Sequence, residues 1–366
     1  MYKITQVISD GSVGGAGILL SHVTEALKDI FDFEIIVPEH SALIDRLPKR
    51  GVRVTPLSFC PDKSFHPSDI AVFLRHFRKT GPHVIHSHAS LTARLAGRML
   101  GIRPLLSTRH CVGVYGTDTP LSPLRRILYN LCTAVTVATA DAAARELISQ
   151  GVPSSRIVTL TNGVPPAPRL SREERASHLH ALGLSEKDTV LGCCARLEAV
   201  KGQDLLLRAV AALLPAFPRL RALLVGDGSR RAYLSALAAR LGIAHAVRFV
   251  GYTDTPFVYQ NLFTVNVNTS RATETSCLAT SECMSLGIPT LASDFGGNRE
   301  MIREGENGLL FRTDDVRSLT ERLSQLLQVP SRLRDMRDST ARAYRDRFSV
   351  ERMAEGYQRL YFSLIR

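Results

Sequence analysis

Short apolar, β-branched runs alternate with helical stretches along this chain, and the alternation breaks once and then starts again. KITQVIS, FEIIVP, HVIHSHA, PLLSTRH, AVTVAT and RIVTLTNG read as strands. SHVTEALKDI, SDIAVFLRHFRK, SLTARLAGRML and DAAARELISQ read as the helices between them. Strands separated by helix-length crossovers can pair only in parallel. At VPPAPR, three prolines within six residues stop any regular element. The pattern resumes with TVLGCCARL, RALLVGDG, HAVRFVGY, FTVNVNTS and PTLASDF. The expected fold is therefore α/β, with two doubly wound Rossmann-like domains joined near residues 165–170. Such sheets bind ligands at the carboxyl ends of their strands, so two of them facing each other would form a deep cleft. The closing RMAEGYQRLYFSLIR is helical, and its face of Met353, Tyr357, Leu360 and Leu364 needs a surface to bury against.

Composition narrows the function classes. The 366 residues are 45% hydrophobic and 22% charged, which is globular, and no apolar run reaches the ~20 residues of a membrane span. MYKITQVISDGSVGG reads as a first strand and turn rather than a signal peptide. Seven scattered cysteines without a CxxC spacing fit reduced thiols in a cytoplasmic protein. The net charge of +12 points to an anionic partner such as a nucleotide or a phosphate-rich surface. Nucleic acid is disfavoured: there is no tryptophan, aromatic residues make up 6%, and no reading motif is present.

The strand ends carry the chemistry. SDGSVGGAG places glycines between the first strand and the first helix, where backbone N–H groups can approach an anion. A dinucleotide fingerprint would need a third glycine where Leu20 stands, although Glu39 closes the second strand where a ribose-binding acid would fall. In CARLEAVKG, Arg196 and Lys201 follow one strand end, and a guanidinium with an ammonium suits a diphosphate. In ETSCLATSECMSLGIPT, Glu274 precedes a helix whose free N–H groups at Thr275 to Leu278 can hold a phosphate. Glu282, about two turns further in, can accept from both hydroxyls of a ribose, while Glu274 reaches the sugar beyond the phosphates. Together these groups outline a nucleotide diphosphate-sugar.

RLEAVKG, VGDG, FVGY, the two glutamates with GIPTLAS, and GGNREMIREGENGLLF resemble the retaining glycosyltransferases of family 4, which have the GT-B fold. NGV at 162–164, HSHA at 86–89 and the GGAG loop resemble the first domain of that family. The resemblance implies an acceptor-binding domain at 1–166, a nucleotide-sugar domain at 167–347, and a last helix, about 348–366, returning to the first domain. It implies that Arg196 and Lys201 bind the donor diphosphate, Glu282 the ribose and Glu274 the transferred sugar. It also implies donor contacts at Gly15, Ala16, Gly17, Tyr252, Ser276, Cys277 and Leu278, with no divalent metal and no cofactor. The chain departs from the family at Thr275-Ser276-Cys277, where Gly-Phe-Gly is usual, and at Cys283, where alanine often stands.

His86 and His88 share one face of a strand, but no cysteine or carboxylate nearby completes a metal site. His110 closes the next strand, where the resemblance implies a histidine beside the transferred sugar. The expected activity is retaining transfer of a sugar to an acceptor hydroxyl, with catalysis resting on Glu274, His110, Arg196 and Lys201. UDP is favoured over GDP by its prevalence in the family. A nucleotide-sugar 2-epimerase, or a non-catalytic nucleotide-sugar or carbohydrate-binding protein, are the alternatives. In HPSDIAVFLRHFRKTG, Ile70, Phe73, Leu74 and Phe77 lie beside Arg75, Arg78 and Lys79, and Arg46, Lys49, Arg50 and Arg53 add charge. That pattern suggests docking on an anionic membrane and a lipid-linked or cell-surface glycan acceptor, with the apolar face mostly in the core.

Overall fold

The computed structural model describes residues 1–48, 50–113 and 122–365, so Lys49 lies outside the described residues. The chain forms two compact units, one of residues 1–164 with 350–366 and the other of residues 165–349.

The strands of the first unit are β1 (Lys3–Ile8), β2 (Asp32–Pro38), β3 (Val52–Leu57), β4 (Val84–His88), β5 (Leu105–Arg109), β6 (Val135–Ala138) and β7 (Ile157–Thr159). They form one parallel sheet in the order β3-β2-β1-β4-β5-β6-β7. Its helices are α1 (Gly15–Leu27), α2 (Asp69–Thr80), α3 (Leu91–Met99), α4 (Pro123–Leu131) and α5 (Asp141–Ser149). β3, VRVTPL, was missed by the periodicity because it carries a proline next to its last residue and alternates only weakly. The crossover helices bury their apolar stripes on the sheet. On α2, Phe73 and Phe77 are fully buried beside Phe59, while Arg75, Arg78 and Lys79 are exposed.

The second unit contains β8 (Thr189–Cys194), β9 (Leu220–Val225), β10 (Val247–Gly251), β11 (Val265–Asn268), β12 (Thr290–Ser293) and β13 (Gly308–Phe311). They pair in parallel in the order β10-β9-β8-β11-β12-β13. Its longer helices are α6 (Arg172–Ala181), α7 (Gln203–Leu213) and α8 (Arg231–Arg240), with a short α9 (Pro256–Gln260). α10 (Leu278–Ser285), the short α11 (Asn298–Met301), α12 (Val316–Leu327) and α13 (Pro330–Ala343) follow. β13 escaped the sequence reading because GLLF is only four residues long.

The last helix, α14 (Val350–Ile365), belongs to the first unit and packs against α1. Met353, Tyr357, Leu360 and Tyr361 are buried, and Leu364 is partly buried. Tyr361 meets Phe31 and Phe33 edge-on, with centroids 5.5 and 6.3 Å away.

In each sheet the strand order reverses once, between β1 and β4 and between β8 and β11. Helices leave to opposite faces at such a point, which opens a crevice at the carboxyl ends of the two strands.

Candidate functional site

In the second unit, the segments after β8 and β11 flank the reversal. Arg196 follows β8 with its side chain exposed, and Lys201 ends a 3₁₀ turn, Ala199–Lys201. Lys201 Nζ lies 2.8 Å from Glu274 Oε2, and both side chains are largely buried. Burial would lower the Lys201 pKa, but the adjacent Glu274 carboxylate overrides it and raises the value. Ser270 Oγ also donates to Glu274 Oε2, at 2.6 Å.

Backbone geometry forces the two loops together. Gly202 has φ +63, and a Cβ there would sit 2.3 Å from the carbonyl oxygen of Thr269, so only glycine allows this approach. Thr269 Oγ1 donates to the Lys201 carbonyl, and Arg271 N donates to the carbonyl of Val200. Arg271 then grips Asp204 with two parallel hydrogen bonds of 2.8 and 2.9 Å. Thr273 is held at φ +59, in the left-handed region that β-branched residues avoid, immediately before Glu274. On the far side, Gly297 N of the GGN stretch donates to the Glu274 carbonyl at 3.3 Å.

Glu282 lies one turn inside α10, not two, because the helix starts only at Leu278. Cys277 is the N-cap residue, Thr275 and Ser276 are buried, and Leu278 opens the helix. Burial raises the pKa of Glu282, and Gln260 Nε2 opposes this by donating to Oε2 at 2.6 Å. Burial, reinforced by Glu274, pushes the Cys277 thiol up to about 11. Tyr252 follows β10 and is 63% exposed. Gln260 and Ser270 gave no sequence signal, since neither carries a charge and each acts only by hydrogen-bonding a glutamate, Gln260 to Glu282 and Ser270 to Glu274.

In the first unit the glycine loop is shorter than its sequence suggests. α1 already begins at Gly15, so Gly15, Ala16 and Gly17 form its first turn. A Cβ on Gly17 would come within 2.3 Å of Leu43 Cδ2, so a larger residue there would force the end of the Leu43 side chain to move. Asp10, beyond the end of β1, has its pKa raised to about 6 by burial and then by the nearby Asp62. His88 ends β4 and is followed by Ala89 at φ +73. His88 Nδ1 lies 2.7 Å from His110 Nε2, and the rings of His86, His88 and His110 stack with centroids 4.8 and 5.0 Å apart. Burial pulls the pKa of His86 down to about 3 and that of His110 to about 4. His86 and His88, weighed as metal ligands from the sequence, are instead bonded to protein groups.

Among the described residues, Cys60, His66 and Asp69 bring three potential metal-ligand atoms within 4.8 Å of one another. The Asp69 carboxylate already accepts from Cys60 N and Ser68 Oγ.

Comparison with known proteins places these features. Residues 13–167 match the family described as Glycosyltransferase Family 4, and residues 174–343 match Glycosyl transferases group 1. A D-inositol 3-phosphate glycosyltransferase of Thermobispora bispora is 28% identical over 88% of this chain and 84% of its own. HepE of Anabaena, solved in complex with UDP, superposes with a TM-score of 0.83 at 20% identity, covering 99% of this chain and 100% of its own. A glycosyltransferase of Rickettsia africae gives a TM-score of 0.85 at 16% identity, over 100% and 99% of the two chains. With both halves matched in order and each sheet reversing once, this chain belongs to the family 4 glycosyltransferases of the GT-B fold.

Proposed function

We propose that the chain is a retaining hexosyltransferase that takes its sugar from a UDP-sugar and delivers it to a hydroxyl of a lipid-linked or cell-surface glycan. The observation that carries this reading is the Lys201–Glu274 pair at the strand reversal of the second unit. An ammonium there meets the diphosphate, whose charge rises as the bond to the sugar breaks. Arg196, exposed beside it, supplies a second cation, so the leaving group needs no divalent metal. Glu274 accepts from hydroxyls of the transferred sugar, Glu282 accepts from the ribose, and the N–H groups opening α10 face the phosphate. His110 accepts from a sugar hydroxyl. Without a carboxylate placed as a covalent nucleophile, the departing diphosphate takes the acceptor proton on the face it leaves. Support for uridine comes from HepE, which was solved with UDP and with UDP-glucose.

The test is incubation with a panel of UDP- and GDP-sugars, with and without acceptors, following nucleotide release and the anomeric configuration of the product. Transfer from a UDP-sugar with retention is expected. Interconversion of the donor sugar without transfer would identify an epimerase, and binding without turnover a non-catalytic protein.

For the membrane, the relevant apolar face is on α4 rather than α2. Leu124, Ile127, Leu128 and Leu131 stand at helical spacing and are 36–67% exposed. Arg156 Nη1 donates to the carbonyl of Asn130 at the end of the same helix. No described helix is long and apolar enough to cross a bilayer. Flotation with anionic liposomes should capture the protein at low salt and release it after Leu124→Ser and Ile127→Ser together. Full recovery in the soluble fraction at low salt would favour a small soluble acceptor.

A further inference from the structure

The segment between β3 and α2 is tied to two neighbouring strand ends of the first unit. Asp62 N donates to the carbonyl of Ser9 at 2.8 Å, and Gly11 N donates to Asp62 Oδ1 at 3.1 Å, which holds the segment to the loop after β1. The carbonyl of Ser64 accepts from Leu91 N and Thr92 N at the start of α3, and His66 N donates to Thr92 Oγ1 at 2.9 Å. The segment is thereby anchored on both sides of the strand reversal between β1 and β4.

Within it, CPDKSFHPSD carries Cys60, His66 and Asp69, whose sulfur, nitrogen and carboxylate donors lie within 4.8 Å of one another. Cys60 and His66 each precede a proline, which restricts both to extended backbone. Asp69 opens α2 with its side chain 8% exposed, and its Oδ2 accepts from Cys60 N at 3.1 Å. His66 Nδ1 lies 3.7 Å from Asp69 Oδ1. Two ligands of one tetrahedral zinc ion, nitrogen and oxygen, stand roughly 3.4 Å apart, so little movement separates this geometry from a bound one. The Ser68 hydroxyl now stands between them, 2.7 Å from His66 Nδ1 and 3.1 Å from Asp69 Oδ1. Ser68 is exposed, so its side chain can turn to water and leave that place to an ion. A helix start carries partial positive charge and disfavours a cation. The Cys60 thiolate and the Asp69 carboxylate offset this, bringing two negative charges against the two of a divalent ion, while the thiol proton passes to water. A thiolate, an imidazole and a carboxylate, with a fourth position left to water, suit zinc, whereas magnesium and calcium prefer oxygen ligands.

We propose that Cys60, His66 and Asp69 bind one zinc ion, which clamps the segment after β3 to the start of α2. The ion supplies no step of the sugar transfer, whose donor-binding groups are in the second unit, so the zinc site stands or falls independently of that reading.

The test titrates cobalt chloride into the full chain, reduced and stripped of metal. One equivalent should produce a thiolate-to-cobalt charge-transfer band together with the visible bands of a four-coordinate ion, and zinc chloride should bleach both. Cys60→Ser should abolish the charge-transfer band. His66→Ala should weaken cobalt binding by more than the roughly tenfold that loss of an outer-shell group costs. Cys60 and His66 are only partly buried, so neither substitution empties the core, and His66→Ala carries the test if Cys60→Ser fails to fold. Ser68→Ala removes the hydroxyl between the ligands and should bind cobalt at least as tightly as the unmodified protein. Zinc chloride should raise the melting temperature of the unmodified protein and leave that of Cys60→Ser unmoved. Absence of the charge-transfer band at one equivalent overturns the proposal. So does a band that survives in Cys60→Ser, because another cysteine would then supply the sulfur, and so does cobalt affinity unchanged in His66→Ala. Loss of the band in Ser68→Ala would overturn the ligand set.

Discussion

Nζ of Lys201 lies 2.8 Å from Oε2 of Glu274, joining the segments that follow β8 and β11 on either side of the strand reversal. Removing either partner leaves the other charge largely buried and unpaired. Lys201→Met and Glu274→Gln should each destabilise the fold by roughly 1–3 kcal/mol. The double variant should lose clearly less than the sum, with a coupling on the order of 0.5–3 kcal/mol. Urea unfolding of the four proteins measures this, and strict additivity would mean that the pair contributes nothing in solution. Turnover should fall in both single variants if, as proposed, donor sugar and diphosphate meet at this pair.

Glu282 is nearly buried, and Gln260 holds one of its oxygens. Glu282→Ala should weaken binding of UDP itself, since two charge-assisted hydrogen bonds to ribose are worth roughly 1.5–3 kcal/mol each. Calorimetric titration should show at least a tenfold loss, alongside a modest fall in melting temperature from leaving the buried Gln260 amide without its acceptor. Unchanged UDP affinity would remove the ribose role.

Arg196 and Lys201 are proposed to take the place of a metal ion at the diphosphate. Sugar transfer should therefore run at full rate in excess EDTA, while Arg196→Ala lowers kcat/KM by at least tenfold, about 1.4 kcal/mol or more of transition-state stabilisation. An absolute requirement for magnesium or manganese would refute that assignment.

Asp10 gives a pH dependence of definite sign. Its folded pKa of about 6 lies above the ordinary carboxylate value of 3.8, so the native state binds this proton more tightly than the unfolded chain. Its contribution to stability is therefore greatest below about 4 and is lost as pH rises through about 6. Asp10→Asn should raise the melting temperature at pH 7.5, and the difference should shrink to nothing near pH 4. A constant difference across that range would show that Asp10 titrates normally.

Gly17 tests whether the first turn of α1 is shaped by packing. Gly17→Ala would drive a methyl group against Leu43 and should destabilise by about 1–3 kcal/mol. Adding Leu43→Ala should recover part of that loss. If Gly17→Ala alone is neutral in unfolding but impairs donor binding, the glycine serves the ligand instead.

The fold class was legible because period and chain length carry it. Runs such as FEIIVP and RALLVGDG are too short and too apolar for anything but buried parallel strands, and the helices between them force a crossover. Strand ends can be found the same way, so the positions of Arg196, Lys201, Glu274 and His110 in the segments after those ends, and of Glu282 in the helix that follows, could be read along the chain. Weak segments were lost: VRVTPL and GLLF carry too little pattern to stand out from loops, and the start of α10 slipped from Thr275 to Leu278. Partners were beyond reach altogether. Nothing in the sequence pairs Lys201 with Glu274, Gln260 with Glu282, or Gln6 with Tyr361, which lie up to 355 residues apart. Periodicity is a local property set by side-chain direction along one element, whereas these contacts exist only once the sheet order has placed β1 beside β4 and β8 beside β11. The sequence determined which side chains stand at the strand ends, and the tertiary structure decided which of them share a proton or a charge.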